Sequence, residues 1–285
     1  MQAQSWQTLI DATELAGHLG GAGWVVVDCR FDLSVPEAGE HAYRLGHVPG
    51  AVYAHLDRDL SGPRTVSTGR HPLPEVAEVV ERLRGWGIGP HSQVVAYDSG
   101  SGAFASRLWW LLRWVGHERV AVLDGGLEGW RAAGYHVSAE RSWPVAGNFS
   151  PSVGATSPVA AEVLLNDRQG QLLVVDARCR PRYRGEHEPI DPVAGHIPGA
   201  RNHPFEENLA ADERFLDAGA LREHWSQLLG GHVPEAVVHM CGSGVTACHN
   251  MLSMEHAGLH GSRLYAGSWS EWITDPQRPV AVADE

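Results

Sequence analysis

Short apolar runs alternate with amphipathic stretches along the whole chain. The apolar runs are four to six residues long and rich in valine, which is typical of strands buried on both faces. Between them, apolar residues recur at three- and four-residue spacing, the pattern of packed helices. The predicted strands are 23–28, 93–97, 120–123, 172–176, 236–240 and 263–266, and the predicted helices are 74–86, 103–115, 216–229 and 245–257. Buried strands separated by helices predict a mainly parallel sheet with helices on both faces.

Three motifs occur twice, in the same order. Each half has a valine-rich run ending in Asp-x-Arg, a Gly-His-x-Pro-Gly-Ala motif, and a late glycine-containing segment ending in tryptophan. The paired positions are 25–30 and 173–178, 46–51 and 195–200, and 124–130 and 266–272. The copies are offset by 148, 149 and 142 residues, which is too long for a solenoid repeat.

These offsets predict a duplicated α/β domain. The predicted boundaries are 1–141 for the first domain and 159–285 for the second. A segment rich in proline, glycine and serine, 142–158, is predicted to link them as an irregular crossover.

Composition narrows the functional class. The chain has 285 residues, of which 43% are hydrophobic and 20% charged, as in an ordinary globular protein. A formal net charge of −12 disfavours nucleic acid and anionic membranes as partners. No apolar run is long enough to span a bilayer, and the first residues lack the pattern of a signal peptide. The four cysteines show no paired framework, so we expect a cytoplasmic enzyme with reduced thiols.

Cys241 is the strongest candidate for chemistry. It follows the predicted strand 236–240 and opens a glycine-rich loop that leads into a helix. Backbone N–H groups and a helix N-terminus around one sulfur stabilise its thiolate and lower its pKa. A cysteine phosphatase needs an arginine six positions later, where this chain has Ala247, and no Cys-x-x-Cys redox pair occurs. A buried structural thiol stays open as the plain alternative.

The duplicated halves, both Gly-His-x-Pro-Gly-Ala motifs and the loop Cys-Gly-Ser-Gly-Val-Thr-Ala at 241–247 resemble two-domain rhodanese-fold sulfurtransferases over essentially the whole chain. The loop is most similar to that of 3-mercaptopyruvate sulfurtransferases, because thiosulfate sulfurtransferases more typically carry arginine and lysine in it. The resemblance implies that Cys241 takes sulfur from a small-molecule donor, holds it as a persulfide and passes it to a thiol or cyanide. It implies no cofactor, and a thioredoxin-like protein is a candidate reductant.

The repeat predicts which half is active. Asp98 follows the strand 93–97 at the position that Cys241 takes after 236–240. A carboxylate cannot carry a persulfide, so we expect the first domain to be catalytically inactive and the second to hold a single active site.

The resemblance also implies partners for Cys241. Asp57 and His71 match the family's acid and histidine, which with Ser243 form a relay that can protonate the leaving pyruvate enolate. For Ser243, a hydroxyl that only satisfies loop backbone is an equally weighted alternative. Arg182 matches the arginine that binds the donor's carboxylate or sulfonate. The other loop positions expected to line the substrate site are Gly242, Gly244, Val245 and Thr246.

Several polar residues are better explained by the fold than by chemistry. Arg178 has a copy, Arg30, in the inactive half, so both are interpreted as structural ion-pair partners. His47 and His196 also occur in both halves and are interpreted in the same way. No spacing typical of metal ligands occurs.

One position departs from the family pattern. Mercaptopyruvate enzymes usually carry a second arginine in a Glu-Pro-Arg-Asp stretch, and this chain has Ile190 there. Loss of one charge-assisted contact costs about 1.5–3 kcal/mol of binding. Thiosulfate therefore stays open as the donor, and a non-catalytic persulfide carrier is the alternative from another functional class.

Overall fold

The computed structural model describes residues 5–154, 156–167 and 169–283. It forms two compact units whose boundaries interleave along the chain. The first unit comprises Met1–Gly62, Pro74–Ala155 and Ala211–Phe215, and the second comprises Pro63–Leu73, Thr156–Ala210 and Leu216–Glu285. Most of the sequence-predicted linker thus packs with the first unit. The segment Pro63–Leu73 packs with the second unit, although its place in the sequence lies within the first predicted domain.

The first unit is built on a five-stranded parallel sheet. Its strands are β1 (Leu9–Ile10), β2 (Trp24–Asp28), β3 (Val52–Tyr53), β4 (Gln93–Tyr97) and β5 (Val120–Leu123). Its helices are α1 (Ala12–His18), α2 (Ala38–Leu45), α3 (Leu56–Asp59), α4 (Val76–Gly85), α5 (Ala105–Trp114) and α6 (Gly126–Ala132). The strand order is β1-β5-β4-β2-β3, which requires the crossover connections that the helices supply.

The second unit repeats this plan with a four-stranded parallel sheet in the order β7-β6-β8-β9. Its strands are β6 (Leu173–Asp176), β7 (Arg201–Asn202), β8 (Val237–Met240) and β9 (Arg263–Leu264). Its α-helices are α7 (Ala161–Leu165), α8 (Arg180–Tyr183), α9 (Ala218–Leu229), α10 (Thr246–His256) and α11 (Ser268–Trp272), and two short 3₁₀ helices cover Phe205–Asn208 and Pro234–Ala236. The predicted α/β class with parallel sheets is confirmed.

Local sequence explains where the main elements begin and end. Asp217 caps α9, its side chain accepting hydrogen bonds from the backbone N–H groups of Gly219 and Ala220. Gly230 ends the same helix in the left-handed region, at φ 56°. The strand β8 is buried at every position, as its run of apolar residues predicts. Among the described residues, no helix has the length and apolarity needed to cross a bilayer.

A buried Asp–Arg pair follows the first motif strand of each unit. Arg30 Nη2 lies 2.6 Å from Asp28 Oδ2, and Arg178 Nη2 lies 2.6 Å from Asp176 Oδ2. Each guanidinium also donates to the carbonyl of the glycine that opens the Gly-His-x-Pro-Gly-Ala motif, at 2.8 and 2.7 Å respectively. The matching geometry supports the structural role expected for both arginines.

Candidate active site

Cys241 directly follows β8, and its loop leads into α10. The side chain is buried, at 2% exposure. Its Sγ lies 3.5 Å from the backbone nitrogen of Ser243 and 3.2 Å from that of Gly244, and both N–H groups donate to it. The loop therefore surrounds the sulfur with backbone donors, as its position at a strand-to-helix turn predicts.

Gly244 gives the loop its shape. Its φ is +77°, a region that favours glycine. A Cβ added there would lie 2.2 Å from the carbonyl oxygen of Ala266, which no side chain tolerates. The backbone can turn this closely under Cys241 only with glycine at this position.

Hydrogen bonds lower the pKa of Cys241. Burial of the thiol acts in the opposite direction and raises it, but the hydroxyl of Thr246 and the backbone N–H groups of Ser243 and Ala247 stabilise the thiolate more strongly. The net shift is downward from the ordinary thiol value. The site therefore favours a nucleophilic thiolate at lower pH than a free cysteine does.

Thr246→Val should move the pH profile of the nucleophile. Valine keeps the shape of threonine but removes the hydroxyl that stabilises the thiolate, so the pKa of Cys241 should rise. At a pH below that pKa, the thiolate fraction should fall, and the alkylation rate should fall with it. The measurement is the rate of iodoacetamide alkylation against pH. Thr246→Ser keeps the hydroxyl and is the matched control, and equal profiles for Thr246→Val and wild type would contradict this assignment.

Ser268 holds the backbone of the nucleophile. Its Oγ accepts a hydrogen bond from the N–H of Cys241 at 3.1 Å, and Trp269 N–H donates to the Cys241 carbonyl at 3.0 Å. Ser268 is fully buried with φ +54°, an uncommon conformation for a residue other than glycine. The motif copy in the first unit has Gly126 at this position, with φ +55°. In the second unit, the residue with this strained backbone therefore also supplies a hydroxyl that accepts a hydrogen bond from the Cys241 N–H.

His71 and Ser243 are brought together within the second unit. His71 Nδ1 lies 2.7 Å from Ser243 Oγ, and the two side chains are 5% and 6% exposed. No local sequence pattern predicts this contact, because the two residues are 172 positions apart. A buried imidazole hydrogen-bonded to a hydroxyl two residues from the nucleophile can move a proton at the site.

Asp57 lies in the first unit, in α3, and is exposed. Its backbone N–H donates to Nδ1 of His55, which caps this short helix. The relay role that the family resemblance implies for Asp57 stays a prediction.

Two arginines lie beside the loop, and only one of them was expected. A Cβ added at Gly242 would lie 2.7 Å from Nη2 of Arg70 and 3.3 Å from Nη2 of Arg182. Arg182 donates to Asp191 at 3.0 Å, and Arg70 Nη1 donates to the other oxygen of the same carboxylate. Arg70 is not among the site residues predicted from the sequence. The signal that could have found it is its position directly before His71.

Ile190 takes no part in this cluster through its side chain. It is 44% exposed, and its backbone N–H donates to Glu188 Oε1 at 3.0 Å. Arg182 Nε donates to both oxygens of the same carboxylate, at 3.1 and 3.0 Å. The stretch around Ile190 therefore orients Arg182 even without an arginine of its own.

The corresponding loop of the first unit holds a carboxylate in place of a thiol. Asp98 is 3% exposed and accepts backbone hydrogen bonds from four residues of its loop. They are Gly100, Gly102, Phe104 and Ala105, at 3.2, 2.9, 2.8 and 3.2 Å. Burial raises the pKa of Asp98 despite these donors. The backbone donors of this loop thus bind the Asp98 carboxylate, and no thiol is present in it. The inactivity expected of the first unit stays a prediction.

Comparison with known proteins agrees with this architecture. The sequence matches the Rhodanese-like domain family over residues 11–133 and 159–275. A Pseudomonas aeruginosa protein named as a probable 3-mercaptopyruvate sulfurtransferase is 50% identical over 280 residues, which cover 97% of this chain and 98% of that protein. An Arabidopsis thaliana protein, thiosulfate/3-mercaptopyruvate sulfurtransferase 2, is 31% identical, with 96% of this chain and 86% of the relative covered.

A solved structure shows the same fold. The 3-mercaptopyruvate sulfurtransferase from Leishmania major superposes with a TM-score of 0.82 and 31% identity, covering 96% of this chain and 75% of that one. Both family segments include the repeated motifs, and the second contains Cys241 and its loop. The chain therefore belongs to the rhodanese family, and it is a two-domain sulfurtransferase.

Proposed function

We propose that the protein moves sulfane sulfur from 3-mercaptopyruvate to a thiol or cyanide through a persulfide on Cys241. The observation that carries this proposal is the combination of a stabilised thiolate with two guanidinium groups beside the same loop, at Gly242. A thiolate is the nucleophile that sulfur transfer needs, and guanidinium groups bind the carboxylate of an α-keto acid.

The first half-reaction forms a sulfur–sulfur bond. The Cys241 thiolate attacks the sulfur of the donor, the carbon–sulfur bond breaks, and its electron pair leaves on the enolate of pyruvate. A proton delivered to the enolate carbon completes pyruvate. In the second half-reaction an acceptor thiolate or cyanide attacks the outer sulfur and releases the Cys241 thiolate. Small thiols and a thioredoxin-like protein are the acceptors we propose.

We propose that His71 and Ser243 supply the proton. Their 2.7 Å hydrogen bond lets the Ser243 hydroxyl donate to the enolate while His71 replaces that proton. The outer sulfur keeps the thiol proton of the donor until it loses that proton to water, and water returns a proton to His71. The backbone N–H groups that donate to Cys241 Sγ can then stabilise the persulfide anion. We propose Asp57 as the third relay member on the family resemblance alone.

Arg70 and Arg182 are proposed to hold the donor carboxylate. Arginine has five N–H donors in a fixed fork, so each guanidinium can bind Asp191 and a substrate oxygen together. Arg70 offers the second charge that Ile190 cannot, which favours mercaptopyruvate. Thiosulfate is the second candidate donor, supported by the absence of the usual arginine at Ile190 and by the name of the Arabidopsis thaliana relative.

Steady-state kinetics with mercaptopyruvate and thiosulfate test the proposed donor, and the Arg182→Met variant tests the proposed carboxylate contact. Wild type should show the higher kcat/KM with mercaptopyruvate. Removing the Arg182 charge should lower that value tenfold to about a hundredfold, mainly through KM, because a charge-assisted contact to the carboxylate is lost. Arg180→Met removes an exposed arginine that pairs with Glu207 and is the matched control. A preference of wild type for thiosulfate, or an unchanged KM in Arg182→Met, would contradict the assignment.

We also propose a cytoplasmic location, on the chemistry of the thiols. The four cysteines of the chain are free, and a reactive thiolate such as Cys241 persists in a reducing compartment.

A further inference from the structure

Ser270 joins the two parts of the proposed site. Its backbone N–H donates to the carbonyl of Gly242, next to the nucleophile, at 2.9 Å. Its Oγ accepts a hydrogen bond from the backbone N–H of Arg70 at 3.0 Å. The residue lies in α11 and is 8% exposed. One buried serine thus contacts both the Cys241 loop and the segment that carries Arg70 and His71.

The segment approaches α11 so closely that it requires glycine. A Cβ added at Gly69 would lie 2.5 Å from the carbonyl oxygen of Gly267 and 2.9 Å from Oγ of Ser270. Distances below 3.0 Å force the neighbouring atoms apart. The hydrogen bond from Arg70 to Ser270 therefore depends on glycine at position 69.

The inactive unit provides an internal comparison. Its motif copy has Glu128 where the second unit has Ser270, and Glu128 N–H donates to the carbonyl of Ser99 at 2.9 Å. The backbone link to the loop is therefore common to both units. The Glu128 side chain, however, is 65% exposed and pairs with Arg131 on its own helix. Of the two units, the one that contains Cys241 has a buried hydroxyl at this position, and the other has an exposed carboxylate.

We propose that Ser270 is a positioning residue, whose hydroxyl fixes the Arg70–His71 segment against the Cys241 loop. This proposal rests on the function proposed above. The hydroxyl sets where the Arg70 guanidinium meets the donor and keeps Nδ1 of His71 within reach of Ser243. The hydrogen bonds to the thiolate described above come from residues 243–247, so the proposed effect of the Ser270 hydroxyl is on the segment and not on the sulfur.

Ser270→Ala should distinguish positioning of the Arg70–His71 segment from stabilisation of the Cys241 thiolate. The kcat/KM for mercaptopyruvate should fall about tenfold, because one buried hydrogen bond that holds the segment is lost. The pH profile of Cys241 alkylation should stay at its wild-type position, because the donors to the sulfur remain. Ser270→Thr keeps the hydroxyl and should restore most of the activity. Glu128→Ala, the equivalent change in the inactive unit, is the matched control and should leave kcat/KM unchanged.

A double-mutant cycle with His71→Ala completes the test. If Ser270 acts through its neighbours on this segment, adding Ser270→Ala to His71→Ala should cost less than it does in wild type. Gly69→Ala gives a second route, because its Cβ should displace the segment from Ser270 and produce the same loss with the alkylation profile unchanged. Wild-type activity in Ser270→Ala, fully multiplicative losses in the cycle, or a shifted alkylation profile would overturn the positioning role. Failure of the wild type itself to use either donor would instead overturn the proposed function.

Discussion

Cys241→Ser should abolish sulfur transfer from both donors, with at least about a 10³-fold loss of kcat. A serine hydroxyl has no appreciable anionic form at neutral pH and cannot form a persulfide. Since the buried side chain loses little volume, the fold should be retained. The measurement is steady-state turnover with mercaptopyruvate and thiosulfate, together with circular dichroism to check folding.

Cys179→Ser is the matched control for this variant. Cys179 is an exposed free cysteine of the same unit and takes no part in the loop around Cys241. Its replacement should leave turnover within about twofold of wild type. Substantial residual transfer by a folded Cys241→Ser protein would show that another group carries the sulfur.

Arg178→Met should be among the most destabilising single changes in the second unit. The guanidinium is almost fully buried and pairs with Asp176, which is itself fully buried. Removing one partner leaves a buried carboxylate without its counter-charge, which costs about 3–5 kcal/mol. The measurement is the free energy of unfolding in urea, followed by a probe in each unit because the two units can unfold separately.

Changes at two other arginines serve as comparisons for Arg178→Met. Arg30→Met breaks the equivalent pair in the first unit and should cost a similar amount there. Arg180→Met breaks an exposed pair with Glu207 and should cost less than about 1 kcal/mol. An equal, small effect of all three changes would contradict the structural role of the buried pairs.

The long elements were predictable because their patterns are local. Each predicted strand and helix is present with its ends within two residues of the predicted ones. Two-residue strands such as β1 and β7 escaped prediction, because alternation and periodicity need more residues to be visible. The motif repeat predicted the duplication, and parallel sheets in both units confirm the fold class.

The site was only partly predictable. The Cys241 loop could be interpreted locally, since a strand end followed by glycines and a helix is a sequence feature. His71 came from the family resemblance, and Arg70 was missed entirely. Both lie on Pro63–Leu73, which packs with the second unit. No local pattern predicts that a segment within the first predicted domain packs with the second unit. Tertiary placement, rather than propensity, puts these side chains beside Gly242 and Ser243.

The intact mass of the protein after incubation with mercaptopyruvate and no acceptor tests persulfide formation on Cys241 most directly. We expect an added mass equal to one sulfur atom, located on the peptide that contains Cys241 and removed by cyanide or a small thiol. Cys241→Ser should show no such addition. A wild-type protein that forms pyruvate without gaining this sulfur, or that carries it on another cysteine, would show that Cys241 does not carry the sulfur.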